Sequence, residues 1–119
     1  MIAEILIGLV AVEHLFFFML EAVFWRRPLG RKVFGFTEEY ATSTAPLAAN
    51  QGLYNGFLAA GLCWALLAAE PQMARALAIF FLSCVLVAGV FGAVTVKRTI
   101  LWIQGLPAAI ALVAVFAGL

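Results

Sequence analysis

Three ionisable side chains, Glu13, His14 and Glu21, fall within nine positions of an otherwise apolar run from Met1 to Trp25. A charge at the centre of a membrane span costs at least ~2.5–3.5 kcal/mol, so such groups face a protein interior and find partners. Glutamate and histidine there can bind a charged ligand or carry protons, and a buried pair can serve as general acid and base. The same three groups can instead be a structural cluster that fixes helix register. At about 100° per residue, positions seven apart nearly eclipse, so His14 and Glu21 share one stripe and Glu13 flanks it. Glu4 lies further round, near the helix end, where water and headgroups solvate it.

A second polar set occupies the middle of the chain: Asn50, Gln51, Tyr54 and Asn55. Asn50 with Tyr54, and Gln51 with Asn55, are i,i+4 pairs on adjacent stripes of one broad helix face. Amides and a phenol orient and bind rather than carry acid–base chemistry unaided. Lipid would leave them unsatisfied, so this face is expected to point inward, against the Glu13, His14 and Glu21 stripe. Gln104 supplies a third wall. Counting helical rise, Glu21 lies about 6 Å, Asn50 to Asn55 about 6–14 Å, and Gln104 about 8 Å inside the same membrane face. Glu13 and His14 reach the midplane. The expected site is a pocket open to one side, with these eight residues as its ligand-binding set.

Metal chemistry is disfavoured, because no two candidate ligands stand at a His-x-x-His or Glu-x-x-His spacing. Haem would have to use His14, the single histidine. No motif names a cofactor. Catalysis is left open, with Glu13, His14 and Glu21 as its candidates.

The elements that must carry these groups follow from composition. The chain has 119 residues, 66% hydrophobic and only 11% charged. A soluble domain needs about a quarter of its residues charged to cover its surface, so an integral membrane protein with one domain is expected. The few basic residues do not line one face, which excludes nucleic acid as a partner. Membrane lipids are the partners this composition implies. Cys63 and Cys84 sit in apolar segments and read as free, buried residues. The first segment lacks a basic leader and carries Glu4, so it reads as a retained span rather than a cleaved signal.

Crossing a ~30 Å hydrocarbon core takes about 20 apolar residues. Segments 2–25, 46–69, 73–96 and 99–119 meet that length. Short connections at Glu70-Pro71-Gln72 and Lys97-Arg98 make neighbours antiparallel, so the expected fold is an all-α membrane protein with four transmembrane helices in an antiparallel bundle. The connection from Arg26 to Ala45 is long. Pro28, Gly30 and Gly35 should break any early helix there, while Thr37 can cap a short one. Val33, Phe34, Phe36 and Tyr40 suit a membrane surface, which makes this a cytoplasmic interfacial loop. Six lysines and arginines fall in the first and third loops, against Arg75 at the second. By the positive-inside rule both termini lie outside. Ala88, Gly89, Gly92 and Ala93, and likewise Gly52, Gly56 and Ala60, allow close helix approach. Pro107 frees the carbonyl of Ile103.

The strings GLVAVEHLFFFMLE, KVFGF followed by EE, LAANQGLYNGFLAAGL, VAGVFGAVTVKR and QGLPA occur in that order. Together they resemble a family of small bacterial membrane proteins, domain of unknown function 1304. The resemblance covers essentially the whole chain and implies a four-span protein of the bacterial inner membrane. It implies no activity, ligand or catalytic residue. Three functional readings remain. The first is binding or transport of a small polar or amphipathic ligand in a cytoplasm-facing pocket, transport requiring a homodimer. The second is a membrane isomerase or oxidoreductase acting on a lipid-like or quinone-like substrate. The third is a structural or accessory subunit.

Overall fold

Apolar runs with few breakers become helices throughout. The computed structural model describes residues 1–119 and contains five α-helices. They are α1 (Ile2–Ala22), α2 (Pro28–Phe34), α3 (Glu38–Leu67), α4 (Pro71–Thr95) and α5 (Leu106–Ala117), the last preceded by a π-helical stretch at Leu101–Gly105. The chain divides into two compact units. One comprises Met1–Ala11 with Ala60–Leu119, and the other Val12–Ala59.

In the first unit, α4 and α5 run antiparallel. Arg75 Nη1, in the first turns of α4, donates to the Val115 carbonyl near the end of α5 at 2.6 Å. At the other end Gly89 meets the backbone of Gly105, where an added Cβ would stand 2.6 Å from the Gly105 nitrogen. Gly92 takes the side chain of Ile100, at 2.9 Å from the same kind of added atom. These are the expected small-residue contacts, and they let backbones approach where lipid would supply no hydrophobic drive. The buried faces are equally lean: Ala78, Leu82, Val85 and Gly89 on α4, and Ala108, Ala111, Ala114 and Val115 on α5. The chain ends meet in this unit. The Met1 ammonium donates to the Leu119 carbonyl at 3.0 Å, and Ile2 N to the same oxygen at 3.1 Å.

Glu70 starts α4 well. Its carboxylate accepts from the Gln72 and Met73 amides, and Pro71 follows where a missing N–H does no harm. Pro107 is handled differently. It stands at the start of α5, directly after the π-helical stretch, where Leu106 N bonds back to the Leu101 carbonyl five residues earlier. One extra residue is thus accommodated just where proline cannot donate.

The second unit holds the later part of α1, helix α2 and most of α3, and α1 packs antiparallel on α3. An atom added at Gly52 would lie 2.9 Å from Glu21 Cβ, and one at Gly56 3.1 Å from the Phe18 ring. Buried positions on α3 recur as Ala41, Ala48, Gly52, Asn55 and Ala59, a heptad-like stripe.

Three expectations are corrected here. Pro28 and Gly30 do not prevent a helix after the first span. Proline at the first helical position lacks only an amide that has no helical partner anyway, so Pro28 opens α2. Gly30 is buried against the Phe24 carbonyl, too close for any side chain. Gly35 does end α2, with φ 72° and its amide on Arg31 O at 2.8 Å. Next, the helix begun at Thr37 is not short. Thr37 Oγ1 accepts from Tyr40 N at 3.2 Å as a cap should, but the helix runs on through Pro46 to Leu67. The Ser43 and Thr44 hydroxyls both donate to the Tyr40 carbonyl, while the carbonyl that Pro46 deprives of its helical donor is that of Thr42. Finally, Cys63 is exposed and only Cys84 is partly covered.

Of the four expected spans, α1 and α4 are long and apolar enough to cross a membrane, and Leu101–Ala117 forms a shorter apolar helix. The second expected span, 46–69, falls on α3 up to Leu67, where this 30-residue helix, which also includes Glu38, Glu39 and the polar set, ends.

Candidate functional site

Glu21 occupies the last turn of α1, one residue before the helix ends at Ala22. A carboxylate there opposes the negative end of the helix dipole, so local rules alone would not select it. The fold compensates from α3. Asn55, only 9% exposed, donates from Nδ2 to Glu21 Oε1 at 2.5 Å. Gly52 and Gly56 bring α3 close enough for that bond by omitting side chains opposite Glu21 and Phe18. The NQGxYNG motif therefore uses its two glycines and its last asparagine toward α1.

Its other polar members point elsewhere, which corrects the expected inward face. Asn50, Gln51 and Tyr54 are exposed. They lie roughly 100–200° around the helix from Gly52. Asn50 Nδ2 donates to Tyr54 Oη at 3.1 Å, so this pair meets part of its hydrogen-bonding need on its own helix.

Beyond Glu21 the chain leaves the helix and a cavity of about 520 Å³ opens, lined by Glu21, Trp25, Arg26, Arg27, Glu38 and Thr42, among others. That volume falls within the roughly 300–1,000 Å³ of small-molecule sites. Two carboxylates and two guanidinium groups share this wall, and none of them pairs with another. The ion pairs within 4.0 Å are the Met1 ammonium with Glu4, and His14 with Glu13. Arg27 instead lies over the Phe24 ring, 5.6 Å from its centre. Pro46 leaves the Thr42 carbonyl without its helical donor, adding an acceptor to this end of α3.

An aromatic cluster holds the cleft's outer edge. Trp25 packs on Phe34 and Phe36, each at 4.9 Å between ring centres, and Phe36 on Tyr40 at 4.7 Å. Trp25 Nε1 donates to Thr44 Oγ1 at 2.9 Å, and that hydroxyl donates to the Tyr40 carbonyl at 2.7 Å. The chain hydrogen-bonds in series, so each bond polarises the next. The expected interfacial segment is thereby fastened to α3 rather than loose.

The eight residues expected to form one site do not all line the cleft. Glu21 lines the cleft and Asn55 holds it, while Glu13 and His14 do not line it. His14 is completely buried, with Nδ1 3.9 Å from Glu13 Oε1 and its ring edge-on to Phe17. Glu13 Oε1 is itself buried and accepts no hydrogen bond. Gln104, partly buried, belongs to the π-helical stretch of the other unit. Missing from the expected set were Trp25, Arg26, Arg27, Glu38 and Thr42. Their signal was a basic pair directly after an apolar helix, followed by a Thr-Glu-Glu helix start. Read separately, the basic cluster is a topology signal and an anionic-lipid contact, with steering of a substrate at the pocket mouth the lesser reading, and Thr37 is a cap.

An all-helical protein with two helices able to span a membrane, and a cleft lined by charges of both signs, is the class these observations define. The chain belongs to the family described as protein of unknown function (DUF1304), whose family model matches residues 8–116. The match agrees with the resemblance carried by the EH…E and NQGxYNG motifs. No curated protein and no solved structure matches the chain.

Proposed function

We propose that this chain is an integral protein of the bacterial inner membrane that binds a small polar or amphipathic ligand in the Glu21 cleft. The observation carrying this reading is the cavity of about 520 Å³ whose carboxylates and guanidinium groups are not paired with one another. A cleft that keeps two carboxylates and two guanidinium groups side by side without pairing them is suited to a charged guest.

Several features support membrane insertion with four passes. Helix α1 has 21 residues, about 30 Å at the helical rise, which matches a hydrocarbon core. Its far end is followed by Arg26, Arg27, Arg31 and Lys32, the basic cluster expected on the cytoplasmic side. The hydrogen bonds between the chain ends agree with an even number of crossings, both termini then lying outside. Large apolar side chains such as Leu9, Phe16, Phe80, Phe91 and Phe116 are exposed, as lipid-facing residues are. The cleft then opens toward the cytoplasm at headgroup depth.

The exposed Asn50, Gln51 and Tyr54 favour a homodimer through α3, since amides at membrane depth are better satisfied by a second helix than by lipid. Native mass spectrometry of the full chain released from nanodiscs tests the binding reading. The expected result is a retained small molecule whose amount falls in Glu21→Gln and Arg26→Gln. Equal retention by all three proteins would sink it.

A further inference from the structure

The charges in the cleft are of both signs, and this restricts what can neutralise them. An anionic ligand drawn to Arg26 and Arg27 would meet Glu21 and Glu38 in the same lumen. A cationic ligand would meet the opposite difficulty. Each like-charge encounter in a partly desolvated site weakens binding, which is how a site rejects the wrong partner. A molecule carrying an anion and a cation a few bonds apart satisfies both pairs together. Building on the proposed binding site, we infer that the cleft selects a zwitterion of the phosphoethanolamine type.

The roles follow from geometry and chemistry. Guanidinium groups match phosphate oxygens with a planar fork, so Arg26 and Arg27 take the phosphate. Glu21 takes the ammonium. Its Oε1 is held by Asn55 Nδ2, which fixes the carboxylate in place and leaves Oε2 for the guest. Glu38 provides a second carboxylate from the start of α3, and Thr42 a hydroxyl one turn further on. Two exposed apolar residues stand at this end of the chain's first helix: Val23, which lines the cleft just after α1, at 43% exposure, and Met19, one turn earlier on α1, at 37%. A hydrocarbon tail attached to the zwitterion would lie along them, so lipid headgroup and free phosphodiester share the chemistry but differ in what else they bury.

The test uses the full chain in nanodiscs made of equal phosphatidylethanolamine and phosphatidylglycerol, with lipid retention read by native mass spectrometry. A parallel titration adds soluble glycerophosphoethanolamine to the protein in detergent. Retention of phosphatidylethanolamine over phosphatidylglycerol by roughly fivefold or more, about 1 kcal/mol of discrimination, is expected. The preference should vanish in Glu21→Gln with Glu38→Gln, and total retention should fall in Arg26→Gln with Arg27→Gln. Circular dichroism and gel filtration establish that each variant is folded. Saturable binding of the soluble compound with no lipid preference supports the same chemistry from a free source. Preferred retention of phosphatidylglycerol, lost in the arginine variant, would overturn the zwitterion while leaving the cleft a binding site. No retention and no titration signal would overturn both.

Discussion

Glu21 and Asn55 show how a residue pair can look wrong locally and be right in the fold. A half-buried carboxylate at a helix C-terminus is unfavourable on two counts, the dipole and desolvation. Asn55 offsets part of that through a single hydrogen bond. Bonds to charged groups contribute about 1.5–3 kcal/mol in water-soluble proteins, and interhelical bonds in membranes often below 1. Asn55→Ala is therefore expected to lower stability by about 1–2 kcal/mol, seen as a lower unfolding midpoint in detergent. Glu21→Gln keeps an acceptor for Asn55 and removes the charge, so its midpoint should equal or exceed that of the unaltered chain while ligand retention falls. A Glu21→Gln protein less stable than Asn55→Ala would contradict this account. Neither partner was difficult to single out from sequence. The bond between them was anticipated only as a facing of two helices, because which of four polar residues turns inward depends on where Gly52 and Gly56 let α3 approach.

Glycines that meet backbone differ from glycines that meet side chains, and α4 offers a pair for comparison in Gly89 and Gly92. At Gly89 an added Cβ meets the Gly105 nitrogen and Cα at 2.6 and 2.7 Å, whereas at Gly92 it meets the Ile100 side chain at 2.9 Å. Backbone cannot rotate away, but a side chain can. Gly89→Ala should thus cost about 1–3 kcal/mol, as overpacking does, and Gly92→Ala distinctly less. Chemical denaturation of both variants checks the order, and equal losses would mean the Gly89 crossing is not tight. Helix α2 depends in the same way on Gly30, which lies on the Phe24 carbonyl. Gly30→Ala is expected to free α2 and loosen the turn that carries Arg26 and Arg27. Faster amide exchange confined to residues 24–36 would be the signature, and unchanged exchange would contradict it. Sequence patterning anticipated the small-residue contacts but not α2. Breaker residues were read by type, while their effect depended on position: Pro28 at a first turn opens a helix, and Pro46 within a longer one is tolerated.

Orientation and assembly belong to the whole molecule. With both native cysteines replaced, Lys32→Cys should react with a membrane-impermeant maleimide only after cells are permeabilised. Gln72→Cys should react in intact cells. The reverse pattern would invert the proposed topology, and equal labelling of both in intact cells would end the membrane reading. If α3 forms a homodimer surface, Gln51→Cys in the same background should form an oxidised dimer. A control at Phe80→Cys, on α4, should not. A cross-link at both positions alike would point to random collision.

The sequence by itself determined that the chain is helical, the extent of α1 and α4 to within a few residues, and which polar residues are unusual for their surroundings. Those properties depend on composition and short-range spacing, which the chain carries in any conformation. It also carried the family, through motifs whose order and spacing are legible without a fold. The tertiary structure alone decided which unusual residues meet. Asn55 turns toward Glu21 while Asn50, Gln51 and Tyr54 turn away, and His14 is buried apart from the cleft. Arg26, Arg27 and Glu38 become one wall only because the turn after α1 and the start of α3 come together. Convergence of residues from separate elements is set by where backbones can approach, and here that was settled by glycines whose importance lies in the atoms they lack.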